Sequence, residues 1–139
     1  MNIFISFAYT DTDFVKTKNR LQNIVSLIKN TNNYAYCNLF DKSIFKFLKT
    51  DDKNQIFKHT FNQEAKADYI FLIISKPKIS HGQCMEVGVA VNLDIPIIMF
   101  EQDTVKDKTY ISEFATYKYT WNTEDNLYKQ IIKALNKID

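Results

Sequence analysis

A glutamate flanked by the chain's only two glycines is the first group here whose type and spacing could do chemistry. Glu86 sits in Ser80-His81-Gly82-Gln83-Cys84-Met85-Glu86-Val87-Gly88-Val89-Ala90. Ser80 and Gln83 fit a capping box, which predicts a helix beginning at Ser80. Glu86 then falls in the second turn, near the helix's positive end. That end favours the ionised carboxylate and suits a nucleophile better than a proton donor. Gly88 weakens such a helix by about 1 kcal/mol relative to alanine, so Gly88 and Ala90 are expected to let it approach a strand or ligand closely. By spacing alone, a glutamate early in a helix more often only complements the dipole.

Other reactive pairs are weaker. Cys84 beside His81 offers a thiol, but the segment supplies no third group to orient them, so a half-buried cysteine is the better reading. Glu101 and Asp103 could hold a sugar hydroxyl or a metal, and read better as a solvated loop. Tyr117, Tyr119 and Trp121 alternate as strand residues and are expected to pack, with Trp121 a candidate for stacking on a base.

Alternating elements must position these groups. Ile3 to Tyr9 reads as a buried strand, followed by the cap-rich Thr10-Asp11-Thr12-Asp13 and a helix to about Lys29. Asn30 to Asn33 breaks that helix, and Tyr34 to Phe40 reads as a second strand. Asp41 to Lys53 is an active-site loop or a short helix, and another helix ends near Ala67-Asp68. Tyr69 to Ser75 is apolar without alternation, as in the middle of a parallel sheet. A turn at Pro77, a helix from about Gly82 to Leu93, strands at Pro96 to Phe100 and Tyr117 to Trp121, and a final helix complete the order. The fold class is therefore α/β: a doubly wound, flavodoxin-like, five-stranded parallel sheet with helices on both faces, in one domain over residues 1–139. Ligands of such sheets sit outside the C-terminal strand ends. Ser6 to Thr12, Ser75 to Glu86 and Phe100 to Asp103 would line that edge, which makes Ser6, Phe7 and Ala8 candidates to bind substrate.

Composition narrows the chemistry. The chain has 139 residues, 18 basic and 16 acidic side chains and a net charge of +2, with no block of like charge. Neither a nucleic-acid nor a membrane partner is expected. Two glycines are too few for a P-loop or a dinucleotide fingerprint. Two cysteines are too few for a disulfide framework or a zinc site, so no metal or cofactor is expected. No secretory signal is visible, and a cytoplasmic location is the expectation.

The run AKADYIFLIIS…SHGQCMEVGVAVNLDIPIIMF resembles the signature of the nucleoside 2-deoxyribosyltransferase superfamily, which includes deoxynucleoside monophosphate N-glycosidases. Ala67-Asp68 opens the pattern, Ser80, Gly82, Glu86, Gly88 and Ala90 form its core, and Pro96-Ile97-Ile98 closes it. The resemblance implies that Glu86 attacks an anomeric carbon, expels the base and forms a glycosyl ester. It implies that Ser80 and the amides around His81 and Gly82 bind a 5′-phosphate or sugar hydroxyl, and that Tyr9 is a second catalytic residue, contacting the nucleophile or the sugar. It also implies a homo-oligomer, a dimer by expectation. The family's upstream aspartate is missing from Lys58-His59-Thr60-Phe61-Asn62, leaving His59, Asn62 or Asp41 as substitutes, and Asp41 is also a candidate to bind substrate.

A poorer resemblance links IFISFAYTDTDFV to the opening of Toll/interleukin-receptor domains. It implies an NAD hydrolase or ADP-ribosyl cyclase of bacterial defence signalling. A non-catalytic nucleotide- or protein-binding module of the same fold is the third expectation.

Overall fold

The computed structural model describes residues 1–9, 13–75, 79–105 and 110–138. The expected cap residues Thr10 to Thr12 and the turn at Pro77 lie outside them. Strand β1 (Asn2–Phe7) leads to α1 (Phe14–Asn30), where Asp13 caps the helix by accepting the Lys16 amide. Strand β2 (Tyr34–Tyr36) is shorter than the sequence suggests. Its continuation coils into short 3-10 turns at Asn38–Phe40 and Lys42–Ile44 before α2 (Phe45–Lys49) and α3 (Lys53–Glu64). Then come β3 (Tyr69–Ile74), α4 (His81–Asn92), β4 (Ile97–Gln102), a 3-10 turn, β5 (Ala115–Trp121) and α5 (Glu124–Ile138).

All strand pairs are parallel, in the order β2-β1-β3-β4-β5. This is the flavodoxin-like order, with its switch point between β1 and β3. Strand residues alternate between the two faces. Ile3, Ile5, Phe71, Ile73, Ile98 and Phe100 meet Leu21, Ile24 and Ile28 of α1 and Leu127, Ile131 and Leu135 of α5. Phe4, Ile70, Leu72, Ile74 and Met99 instead meet Val87 and Ala90 of α4. With both faces covered, the central strands must be apolar throughout, which explains the unbroken YIFLII of β3.

Polar side chains fix the edges. At the N-terminal end of the sheet, Asp68 Oδ2 accepts the Asn2 amide at 2.6 Å, giving this part of the signature a structural duty far from the site. Arg20 donates to both Glu124 oxygens at 2.8 and 2.5 Å and lies over the Trp121 ring, joining α1 to α5. Trp121 is buried and its indole N–H donates to the Phe100 carbonyl, so it packs.

Helix α4 begins as the sequence predicts, with both halves of the Ser80–Gln83 capping box formed. Gln83 is buried, and its amide also donates to the Ile73 carbonyl at 2.8 Å, tying the helix to β3. The expected close approach at Gly88 is not found. A side chain there would meet nothing within 4 Å, because Gly88 faces away from the sheet. Among the described residues, no helix is long and apolar enough to cross a membrane.

Two opposite effects on stability follow. Gly88→Ala should raise the unfolding free energy by about 1 kcal/mol through helix propensity. Ser80→Ala should lower it by about 1 kcal/mol by removing the cap. Urea denaturation with an unchanged slope checks both.

Candidate active site

The crevice at the β1/β3 switch point is where the molecule gathers its chemistry. Ser6, the penultimate residue of β1, is buried. Its hydroxyl donates a short hydrogen bond to Glu86 Oε2. The two residues are eighty positions apart in sequence, and only the neighbouring of β1 and β3 lets a side chain from α4 reach the end of β1.

Glu86 opens into a cleft of about 450 Å³ lined by Phe7, Tyr9, Phe14, Lys18, Asn38, Leu39, Ile44, Phe45, Leu48 and Ile56. Most of the wall is hydrocarbon, and Tyr9, Phe14, Phe45 and Leu48 are each roughly half exposed. Large apolar side chains left accessible in a concave setting are the usual mark of a ligand site. Tyr9 and Phe14 meet edge to face, with centroids 5.8 Å apart.

This environment corrects one expectation about Glu86. The helix start was expected to keep it readily ionised, but burial dominates and pushes its carboxyl up to about 7, although the Ser6 hydrogen bond pulls the other way. Desolvation of the anion outweighs the partial charge at the helix end. Glu86 is therefore divided between acid and base near neutrality, the range in which carboxylates of catalytic sites are often held.

The remaining sequence-predicted residues divide. Ser6, Phe7 and Tyr9 meet Glu86 or its cleft. Ala8 is buried and does not line the cleft. Ser80, His81 and Gly82 are also outside the described lining; Ser80 Oγ is engaged by the Gln83 amide, and His81 is exposed. Asp41 lines a separate polar cavity of about 370 Å³ with Lys29, Tyr36, Lys42 and Ser43.

Asp41 is a hub in its own right. It accepts from the Tyr36 hydroxyl at 2.7 Å and from Ser43 Oγ and N–H at 2.6 and 2.9 Å, and His59 Nε2 lies 2.7 Å away. Burial alone would raise it, but these donors hold it well below the usual carboxylate range. The trio of Ser43, His59 and Asp41 is not a nucleophilic triad. One nitrogen, Nε2, contacts both the hydroxyl and the carboxylate, so the ring cannot relay a proton from one to the other. The cluster instead ties the loop after β2 to α3. Thr60 adds to this tie by donating to Asn38 Oδ1 at 3.4 Å.

Phe14, Lys18, Asn38, Ile44, Phe45 and Leu48 were not singled out from sequence. They come from α1, two 3-10 turns and α2, whose side chains converge only once the chain is folded. Among the described residues, no group of three or more histidine, cysteine, aspartate or glutamate side chains is arranged to hold a metal.

The family model described as nucleoside 2-deoxyribosyltransferase matches residues 8–135. The chain belongs to that family. No curated protein matches the sequence. Among solved structures, the chain is similar to a CMP N-glycosidase of Clostridium botulinum, with TM-score 0.69 and 11% identity, covering 96% of this chain and 99% of that one. It is also similar to a conserved protein of Enterococcus faecalis V583, with TM-score 0.62 and 17% identity over 96% and 98%. A 2-deoxyribosyltransferase of Bacillus psychrosaccharolyticus has TM-score 0.64 and 13% identity over 92% and 90%. At these identities the likeness establishes the shared fold, in agreement with the expected parallel α/β architecture.

Removing the Ser6 hydroxyl takes away the bond that favours the anion. Ser6→Ala should therefore raise the Glu86 midpoint above about 7. The protonated-carboxyl infrared band, followed against pH, would measure the shift. An unmoved midpoint would contradict the assigned hydrogen bond.

Proposed function

We propose that this protein cleaves or transfers the N-glycosidic bond of a nucleoside or nucleotide, with Glu86 as the attacking carboxylate. The observation that carries the reading is a half-buried carboxylate, oriented by Ser6, at the mouth of an apolar cleft on the ligand-binding edge of the sheet. Membership of the nucleoside 2-deoxyribosyltransferase family supports this class of chemistry. So do the names of two structural neighbours, a CMP N-glycosidase and a 2-deoxyribosyltransferase.

The arrangement suits the reaction. Cleaving an N-glycosidic bond builds positive charge on the anomeric carbon, and a carboxylate held beside it stabilises that charge. Glu86 forms a C–O bond to the carbon as the C–N bond breaks, and the electron pair leaves with the base. Water or a second base then displaces Glu86 and restores the carboxylate. Aromatic walls at Phe7, Tyr9, Phe14 and Phe45 give the base flat apolar surface, and a largely apolar cleft strengthens each charge interaction within it. Ser6 fixes one oxygen so that the other can face the substrate.

Among the described lining residues Lys18 is the cation. Its charge favours an anionic substrate, so a nucleoside monophosphate fits the cleft better than a free nucleoside. Lys18→Ala should raise KM about tenfold for the monophosphate, the worth of a charge-assisted contact. The same change should leave the value for the matching nucleoside unaltered.

Incubation with CMP, deoxynucleoside monophosphates, deoxynucleosides and NAD, followed by chromatography for free base or nicotinamide, tests the reading. Base release from a nucleotide or nucleoside is expected, reduced about a hundredfold or more in Glu86→Gln. Release of nicotinamide alone would favour NAD hydrolysis. Full activity in Glu86→Gln would sink the role assigned to the carboxylate.

A further inference from the structure

Helix α3 has an unusual inner face. Its two fully buried side chains are Thr60 and Glu64, one turn apart, where an amphipathic helix ordinarily presents hydrocarbon. Thr60 is bound to Asn38, a lining residue of the Glu86 cleft. Glu64 is 0% exposed, and neither of its oxygens has a hydrogen-bond partner among the described residues. A buried carboxyl without partners costs stability, and buried polar atoms are left unsatisfied in few places other than sites of function.

From this geometry, and resting on the glycosidase reading, we infer that Glu64 is a positioning residue: it forms a coupled carboxyl pair with Glu86 and stores the proton that balances the site's change of charge.

Burial first, and then the negative charge of Glu86, raise Glu64 to about 8. Among the described residues, no charged group other than Glu86 adds to that shift. Between about 7 and about 8 the pair thus mostly carries its proton on Glu64 while Glu86 supplies the anion. Coupled groups of this kind titrate as a unit.

The coupling acts during the reaction. When the Glu86 oxygen bonds to the anomeric carbon, its charge disappears, and with it the part of the hold on the Glu64 proton that is not due to burial. Glu64 then becomes the stronger acid. Its proton offsets the one taken up by the departing nitrogen, and the site keeps a single negative charge. In the second step water adds its hydroxyl to the sugar. The remaining proton returns to Glu64, and the C–O bond to Glu86 breaks to regenerate the carboxylate. Atoms and charge balance over the cycle with no further reactant.

Infrared titration of protonated carboxyls, without substrate, tests the pair separately from catalysis. The wild-type protein should show a high-midpoint carboxyl band near about 8 that is absent in Glu64→Gln. In Glu86→Gln the same band should fall in midpoint, since the anion that helped burial to hold the proton is gone. A Glu64 midpoint unmoved by Glu86→Gln would overturn the coupling. Activity tests the store. The wild-type kcat/KM should rise through about 7 as Glu86 ionises and fall through about 8 as Glu64 loses its proton. Glu64→Gln should lose activity about tenfold to a hundredfold and lose the alkaline fall, while Glu64→Asp keeps it. Superimposable wild-type and Glu64→Gln profiles would overturn the proton-store role. Should Glu64→Gln fail to fold, the Glu86→Gln titration decides, since it leaves Glu64 in place. A wild-type protein that releases no base sinks the glycosidase reading, and the titration still judges the pair.

Stability carries the same signature. Both carboxyls bind protons more tightly folded than unfolded, so unfolding free energy should fall as pH rises from the ordinary 4.5 through about 7 and about 8. Urea midpoints at about pH 5 and about pH 8.5 should differ less in Glu64→Gln than in wild type.

Discussion

The hydrogen bond from Ser6 to Glu86 is the constraint around which the functional edge of this molecule is organised. It can form only if β1 and β3 are neighbours and α4 returns across the sheet from the end of β3. That return is itself held by two polar devices, the Ser80–Gln83 capping box and the bond from the Gln83 side chain to the Ile73 carbonyl. The helix start and its distance from the sheet are therefore fixed before Glu86 is reached. A carboxylate placed in this way has little rotational freedom left, the condition under which electrostatic stabilisation of a developing charge is most effective.

Two electrostatic settings lie within one small region and are kept apart. Around Asp41 every oxygen is satisfied by Tyr36, Ser43 and His59, so the carboxylate is strongly ionised and serves to hold the loop after β2 against α3. Around Glu86 and Glu64 donors are scarce, and burial holds protons on. The contrast is one of hydrogen-bond supply as well as depth: burial raises all three carboxyls, and only at Asp41 do donors overcome it. The first arrangement stabilises a shape. The second reduces stability near neutrality and keeps two carboxyls within reach of protonation change, a trade familiar from sites where activity and stability compete.

The cleft depends on the irregular stretch between β2 and α3. Had β2 continued to Phe40 as its composition suggests, Asn38 and Leu39 would alternate across a strand. Instead the chain coils through 3-10 turns and the short helix α2, turning Asn38, Leu39, Ile44, Phe45 and Leu48 toward Glu86. Asp41 supplies the reason: its side chain caps the second turn through the Ser43 amide and recruits His59 from α3. A residue that sequence reasoning offered as a substitute for the missing upstream aspartate thus shapes the pocket wall from behind.

Much of this protein was legible in its sequence. Apolar runs without alternation announced a parallel sheet, S-x-x-Q announced the start of α4, and the resemblance of Ser80 to Ala90 to a family signature singled out Glu86. Each is a local property, set by side chains a few positions apart, and so survives reading one residue after another. Three things were settled only by the tertiary structure. Glu86 is held protonated in part near neutrality because elements distant in sequence exclude water from it, overriding the helix end that sequence reveals. Gly88, which implied a close approach, faces open space, since which side of a helix meets the sheet is decided by packing. Glu64 reads in sequence as one more polar residue near a helix end. Its burial without a partner, within the field of Glu86, exists only where α3 folds against α4, because desolvation and charge coupling depend on distance in space and not along the chain.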